Sequence, residues 1–250
     1  TWLRRQRQMC IRDSTYTDSY IVNEPAPIVV TNPSITDAAC SGSNDGSISI
    51  NPSGGSLPYN FLWSNGQTTS TISNLFSGSY SLTITDNNNC TYTDSYIVNE
   101  PAPLLITNPI VSNASCFGAD DGYISVTPSG GSPAYTFLWS NGETSATMTN
   151  LLAGIYHLTI TDDKDCILND TFTINEPTSL AELNPEIHDV SCFGNTDGSI
   201  ALNPSGGTPP YNYLWSNGET SSELTNLGEG IYKVTITDDN NCIHSEDYFI

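Results

Sequence analysis

Six cysteines fall into two series, Cys40, Cys116, Cys192 and Cys90, Cys166, Cys242, and within each series the step is 76 residues. Everything between them keeps that register without insertion or deletion, and such a fixed period is the signature of a repeat architecture. It divides the chain into units 28–103, 104–179 and 180–250, the last stopping five residues short. Residues 15–27, TYTDSYIVNEPAP, repeat 91–103 and read as the tail of a preceding unit. The chain therefore reads as a piece of a longer array, so a missing secretory signal carries no weight.

Residues 1–14, TWLRRQRQMCIRDS, share nothing with the repeat. They hold Arg4, Arg5, Arg7 and Arg12, four of the six basic residues of the chain. RRQRQMCIRDS resembles a translated sequencing adapter. Ser14 stands in the column of Cys90, Cys166 and Cys242, and an adapter ending in AG followed by the last base of a Cys codon encodes Ser. The segment, with Cys10, is set aside as non-native, against the rival idea of a basic anchoring arm.

From Thr15 onward only Lys164 and Lys233 balance the acidic residues of a chain whose formal charge is −21. A surface of that sign repels nucleic-acid phosphates and anionic headgroups, so neither nucleic acid nor direct membrane insertion is expected. No stretch approaches the roughly 18 apolar residues of a membrane span.

Within the second unit, 123–127 (YISVT), 135–139 (YTFLW), 155–161 (IYHLTIT) and 166–174 (CILNDTFTI) are short, rich in β-branched and aromatic residues, and bounded by turn formers, as strands are. Alternation puts Ile124 and Val126, then Tyr135, Phe137 and Trp139, then Tyr156, Leu158 and Ile160 on inward faces. His157, Thr159 and Thr161 point outward. One apolar and one wet face per strand describes antiparallel sheets packed as a sandwich. Asp-Gly, Pro-Ser-Gly-Gly and Trp-Ser-Asn-Gly recur between strands as turn signals. Asn-Glu-Pro at Asn23, Asn99 and Asn175 marks the joints, where proline stiffens the linker. The expected fold class is all-β, antiparallel β-sandwich repeats set end to end in tandem, each adding roughly 35 Å.

A unit this small buries only about 60% of its unfolded surface and needs reinforcement. Bridges within each unit, Cys40 to Cys90, Cys116 to Cys166 and Cys192 to Cys242, would each close a loop of about 50 residues worth roughly 4 kcal/mol, and imply an oxidising compartment. Two alternatives stand beside this pairing: bridges across a joint, such as Cys90 with Cys116, and free buried thiols.

The string C-F-G-N-T-D-G-S-I from Cys192, then P-S-G-G, Y-N-Y-L-W-S-N-G-E-T, N-L, G-I-Y-K-V-T-I-T-D and Cys242, resembles the SprB repeat over about 236 residues. The W-S-N-G-x-T segment with G-x-Y-x-x-T-I-T-D is also similar to the PKD Ig-like domain. The SprB resemblance implies stalk repeats of a secreted adhesin of Bacteroidetes, of the kind used in gliding motility and exported by the type IX system. It implies an extracellular, cell-surface location. Expected partners are neighbouring repeats and a surface polysaccharide or glycan, with the fragment itself monomeric. The alternative is an accessory carbohydrate-binding module of a secreted polysaccharide-degrading enzyme.

Catalytic chemistry is not expected. His157, His188 and His244 occupy different columns of the repeat, and a catalytic base needs fixed partners. Trp63, Trp139 and Trp215 have the parity of core residues rather than of sugar-stacking platforms. No cofactor is expected. Calcium is the one candidate ion, through Asp45, Asp121 and Asp197 in loops and Asp86, Asp162 and Asp238 at strand ends, although their spacing matches no EF-hand loop.

Overall fold

The structure is a computed structural model that describes residues 18–250. The adapter-like segment, Cys10 and Ser14 lie outside the described residues. Every regular element among the described residues is a strand. In the first unit these are β1 (Val29–Val30), β2 (Ser34–Thr36), β3 (Gly46–Ser49), β4 (Pro52–Ser53), β5 (Asn60–Trp63), β6 (Thr71–Leu75), β7 (Gly78–Thr85) and β8 (Thr91–Val98). One sheet has the order β2-β3-β6 and the other β5-β7-β8, with β1 and β4 as a separate short pair, and all the pairings are antiparallel. The third unit repeats this arrangement, and the second has the same two sheets with the short pair continuous with the first of them, through Leu105–Ser112 and Gly122–Ser129. This is an Ig-like sandwich of two three-stranded sheets.

Alternation explains the interior. Ile48 of β3 and Ile72 and Leu75 of β6 face Trp63 of β5, Leu82 and Ile84 of β7, and Tyr96 and Val98 of β8 in one buried cluster. The second unit assembles Ile124, Val126, Trp139, Leu158, Ile160 and Ile174 in the same way, and the third Ile200, Trp215, Val234 and Ile236. No residue belongs to two of these clusters, so each sandwich has an interior of its own. The inward positions expected from sequence are found there, with Tyr135, Phe137 and Tyr156 half-buried at the cluster's edge. A further fixture is the tyrosine at the start of the long hairpin. The hydroxyls of Tyr80, Tyr156 and Tyr232 donate to the carbonyls of Phe76, Leu152 and Gly228 at 2.9, 2.9 and 3.0 Å. Each pins the preceding loop to its strand, as the tyrosine corner of Ig domains does.

The direction of the strands gives each unit two distinct poles. At the leading pole the incoming linker is held by the Gly55 N–H, which donates to Ala26 O at 2.7 Å. The β7–β8 turn lies at that same pole, because Asp86 accepts from the Ser56 N–H at 2.9 Å. From there β8 carries the chain to the trailing pole, where the Ala38 N–H donates to Asn99 O at 2.9 Å. Cys90 thus precedes β8 and Cys40 lies beyond its far end.

Candidate functional site

The joint between units is the most built feature of the molecule. Its first component is a buried aspartate at each leading pole. Asp86 is 2% exposed and accepts three backbone N–H groups: Asn88 and Cys90 on Oδ1 at 2.8 and 2.9 Å, and Ser56 on Oδ2 at 2.9 Å. Asp162 holds Lys164, Cys166 and Ser132, and Asp238 holds Asn240, Cys242 and Thr208 in the same way. Burial pushes the carboxyls of Asp86 and Asp162 up, but the N–H donors together outweigh it and hold both below the usual carboxylate range. Each aspartate so fixes the backbone of the turn that ends in the unit's second cysteine.

The second component is the loop at the trailing pole that carries the unit's first cysteine. Asp45 accepts from the Ser43 hydroxyl at 2.5 Å and the Ala39 N–H at 3.0 Å. Those donors lower its pKa, and the same holds for Asp121 and Asp197 beside Ser115 and Ser191. The linker is clamped against this loop: the Asn99 N–H donates to Asp37 at 2.9 Å and the Gly42 N–H donates to Glu100 at 2.6 Å. On its other side, Ala102 O accepts from the Gly131 N–H of the next unit at 2.7 Å. Gly130 comes so near that a Cβ there would collide with Pro103 O, and its φ of +76° suits glycine. The second joint repeats the clamp with Asn175, Glu176 and Thr178.

These components bring the two cysteine-bearing loops of adjacent units together. Cys40 is bonded to Cys166 and Cys116 to Cys242, each with a Cα–Cα distance of 5.6 Å and a sequence separation of 126. Around the first bridge, Ser41 faces Pro103, Leu104, Asp165 and Ile167 across a shallow groove. At the second, the Asn240 side chain donates across the joint to Ser115 O at 2.9 Å. Adjacent units therefore have two covalent connections, the linker and the disulfide.

The pairing within units expected from the sequence is corrected by this arrangement. Cys40 does not bond Cys90, Cys116 does not bond Cys166, and Cys192 does not bond Cys242; nor does Cys90 bond Cys116. Cys90 and Cys192 are free and exposed. The reason is the length of a strand. Eight residues of β8 span about 25 Å from the Cys90 turn to the Cys40 loop, whereas a disulfide needs Cα atoms within about 7 Å. The cysteines of one unit sit at opposite poles, and only those facing each other across a joint can meet.

The other sequence candidates are placed as follows. Trp63, Trp139 and Trp215 are each 2% exposed, and their indole N–H groups donate to Thr69, Ser145 and Ser221 carbonyls. They pack on Tyr96, Phe172 and Tyr248 inside the sandwich and offer no platform to a sugar. His157 meets Thr171, His244 meets Glu246, and His188 is exposed on its strand; the three do not come together. The two candidate calcium aspartates of one unit stand at opposite poles. Across the second joint Asp121 and Asp238 share a side, but their oxygens serve backbone N–H groups. Among the described residues no group of three or more His, Cys, Asp or Glu gathers as metal ligands. The clamping glutamates Glu100 and Glu176 went unrecognised in the sequence. Their signal was the Asn-Glu-Pro string, which recurs while the next residues change from Ala-Pro to Thr-Ser.

The SprB repeat model matches residues 32–68, 108–144 and 184–220, in each unit the stretch from the first strands through the Trp-Ser-Asn-Gly turn. No curated protein matches the sequence. Solved structures that resemble the chain include Sidekick-1 immunoglobulin domains 1-5, at 11% identity and TM-score 0.39, covering 91% of this chain and 59% of that one. The I-band fragment I67-I69 from titin has 14% identity and TM-score 0.40, with 90% and 98% covered. Domains 7, 8 and 9 of the S-layer protein SbsC have 11% identity and TM-score 0.26, with 90% and 97% covered. This chain thus spans little more than half the length of the Sidekick-1 chain. Three segments of the chain, in register with its own period, thus match the SprB repeat, and one Ig-like sandwich is built on each.

Proposed function

We propose that these repeats are a non-catalytic stalk segment of a large secreted bacterial surface protein, an adhesin that the SprB resemblance links to gliding motility and type IX export. The observation that carries the reading is the doubly connected joint. A linker clamped on both sides and paralleled by a disulfide holds successive sandwiches in a set relation, which is what a spacer carrying a distant binding end requires. Disulfides of this kind form in oxidising surroundings, which supports an extracellular location. The acidic surface keeps parallel stalks apart and soluble. Contacts with a surface polysaccharide or glycan would be weak and multivalent along the array.

The rival reading, a carbohydrate-binding module, draws no support from the aromatic residues that would stack on a sugar, since all three repeated tryptophans are interior. Small-angle scattering of the oxidised chain tests the stalk. A rod-like particle whose length is unchanged from low to high salt is the expected result. A flexible or collapsed particle overturns it, and tight glycan binding saturating at one site per unit would favour the rival.

A further inference from the structure

The linker residues are divided between the two units they join. At the first joint Asn99 and Glu100 are held by the trailing pole of the first unit: the Ala38 N–H donates to Asn99 O, the Asn99 N–H to Asp37 and the Gly42 N–H to Glu100. Ala102 is held by the leading pole of the second unit through the Gly131 N–H, and Leu104 packs against the second interior. At the second joint Asn113, Ala114 and Gly118 hold Asn175 and Glu176, Gly207 holds Thr178, and Leu180 is buried in the third interior. Only Pro101 and Pro177 stand between the two sets of clamps. None of these clamps crosses the peptide bond that follows the proline, so breaking that bond removes none of them.

We infer a division of labour at each joint: the linker places the two cysteines for pairing and becomes dispensable once the bridge has closed, so that cleavage at Pro101–Ala102 or Pro177–Thr178 leaves adjacent sandwiches joined and in line. Both bonds are open to a protease, since Ala102 and Thr178 are exposed. A pull passed from bridge to bridge enters the second unit at Cys166 and leaves it at Cys116. Both linkers and the strand Ile167–Ile174 lie outside that route. At the second joint the bridge does not act alone. The Asn240 side chain donates to Ser115 O at 2.9 Å, and Phe117 shares a groove with Leu180 and Ile243 of the next unit. These contacts remain when the linker is cut, and with the bridge they keep the third sandwich in its place.

Before oxidation the order of importance is reversed. Cys116 and Cys242 are 126 residues apart in sequence, and it is the clamped linker that brings their loops together. A linker this short confines one loop near the other at an effective concentration on the order of millimolar, against about 10 µM for separate pieces in an ordinary sample, roughly a hundredfold less. One hydrogen bond and a shallow groove are too little to hold separate pieces at that dilution.

Two covalent steps are involved. Closing the bridge needs an oxidant, and a small-molecule disulfide such as oxidised glutathione supplies it. One cysteine thiolate attacks the oxidant and releases a glutathione thiol, and the second thiolate then displaces the other glutathione. Two thiol protons are lost, and the oxidant takes up two electrons and two protons as it becomes two thiols. Cutting the linker adds one water across the peptide bond, leaving a carboxylate on the proline and an ammonium on the residue after it.

The test uses the full chain with Cys10→Ser, Cys90→Ser and Cys192→Ser, and the recognition sequence of a site-specific protease inserted between Pro177 and Thr178. Cut after oxidation, the chain should run as one species of full mass on a non-reducing gel, and its greatest dimension in small-angle scattering should match that of the uncut chain. Adding a reducing agent should then release the piece that begins at Thr178. A chain that also carries Cys116→Ser and Cys242→Ser should separate on cutting alone. Cut while reduced and then given oxidised glutathione, the protein should form the Cys116–Cys242 bridge at least tenfold more slowly than the uncut chain. A cut, oxidised chain that becomes shorter or flexible would overturn the inference, because the linker would then be holding the joint in line. So would pieces that stay together without the bridge, or bridge formation at equal rates in cut and uncut protein.

Discussion

Pulling on the ends of the oxidised chain measures which cysteines are joined. The informative variant replaces Cys10, Cys90 and Cys192 by Ser, which leaves both observed bridges intact. Between Ile28 and Ile250 the reduced polypeptide offers about 220 residues, or roughly 780 Å at ~3.5 Å per residue. With the bridges in place, the shortest covalent route runs from Ile28 to Cys40, crosses to Cys166, returns to Cys116, crosses to Cys242 and ends at Ile250. That route holds about 70 residues, so full extension is shorter by about 520 Å, whatever handles are attached. Were the bonds made within units instead, only Cys116–Cys166 would survive in this variant, and the shortening would be about 170 Å. Force–extension curves before and after a reducing agent separate the two values well. A difference near the smaller figure, or none, would refute the cross-joint pairing and with it the account of the stalk.

Three further outcomes follow from the interior and the turns. Trp139→Ala removes a side chain that fills the second core and should destabilise that unit by about 3–5 kcal/mol in denaturant melts, leaving the other two transitions in place. Tyr248→Phe should be neutral or stabilising by up to ~1 kcal/mol, because the hydroxyl is buried without a partner, burial pushing its pKa up to about 12. Phe172 already fills that column in the second unit. Asp86 and Asp162 have folded pKa values below the ordinary 3.8, so their contribution is complete above that value and is lost as pH falls through the folded one. Denaturant midpoints should stay level from neutral pH to about 5 and drop below about 4, and Asp162→Asn should remove part of the drop for the second unit. A midpoint that falls steadily between pH 7 and 5 would contradict this.

The sandwich was legible because period-two alternation survives in its central strands: 135–139 and 155–161 show it plainly, and both are strands. Two strands of the same unit were not read. Thr147–Leu151 buries Met148 and Leu151, a spacing of three, because the pairing with its neighbour shifts register and Asn150 takes a φ of +57°. Leu105–Ser112 is largely exposed and interrupted by Pro109, so no apolar alternation marks it. The joint was half legible. Asn-Glu-Pro flagged its position, but the roles of Glu100 and Gly42 depend on a contact between groups 58 residues apart. The disulfides were misassigned because loop entropy favours a near partner only mildly and says nothing of which pole a cysteine occupies. Counting strands would have shown it: the first cysteine follows the unit's opening strands and the second precedes its last, so they lie at opposite ends.

Peptide mapping of the oxidised chain without reduction bears most directly on the joint. Cross-linked peptides containing Cys40 with Cys166 and Cys116 with Cys242, and unlinked peptides for Cys90 and Cys192 in the freshly purified monomer, are the expected result. Recovery of Cys40 with Cys90, or of Cys116 with Cys166, would contradict it.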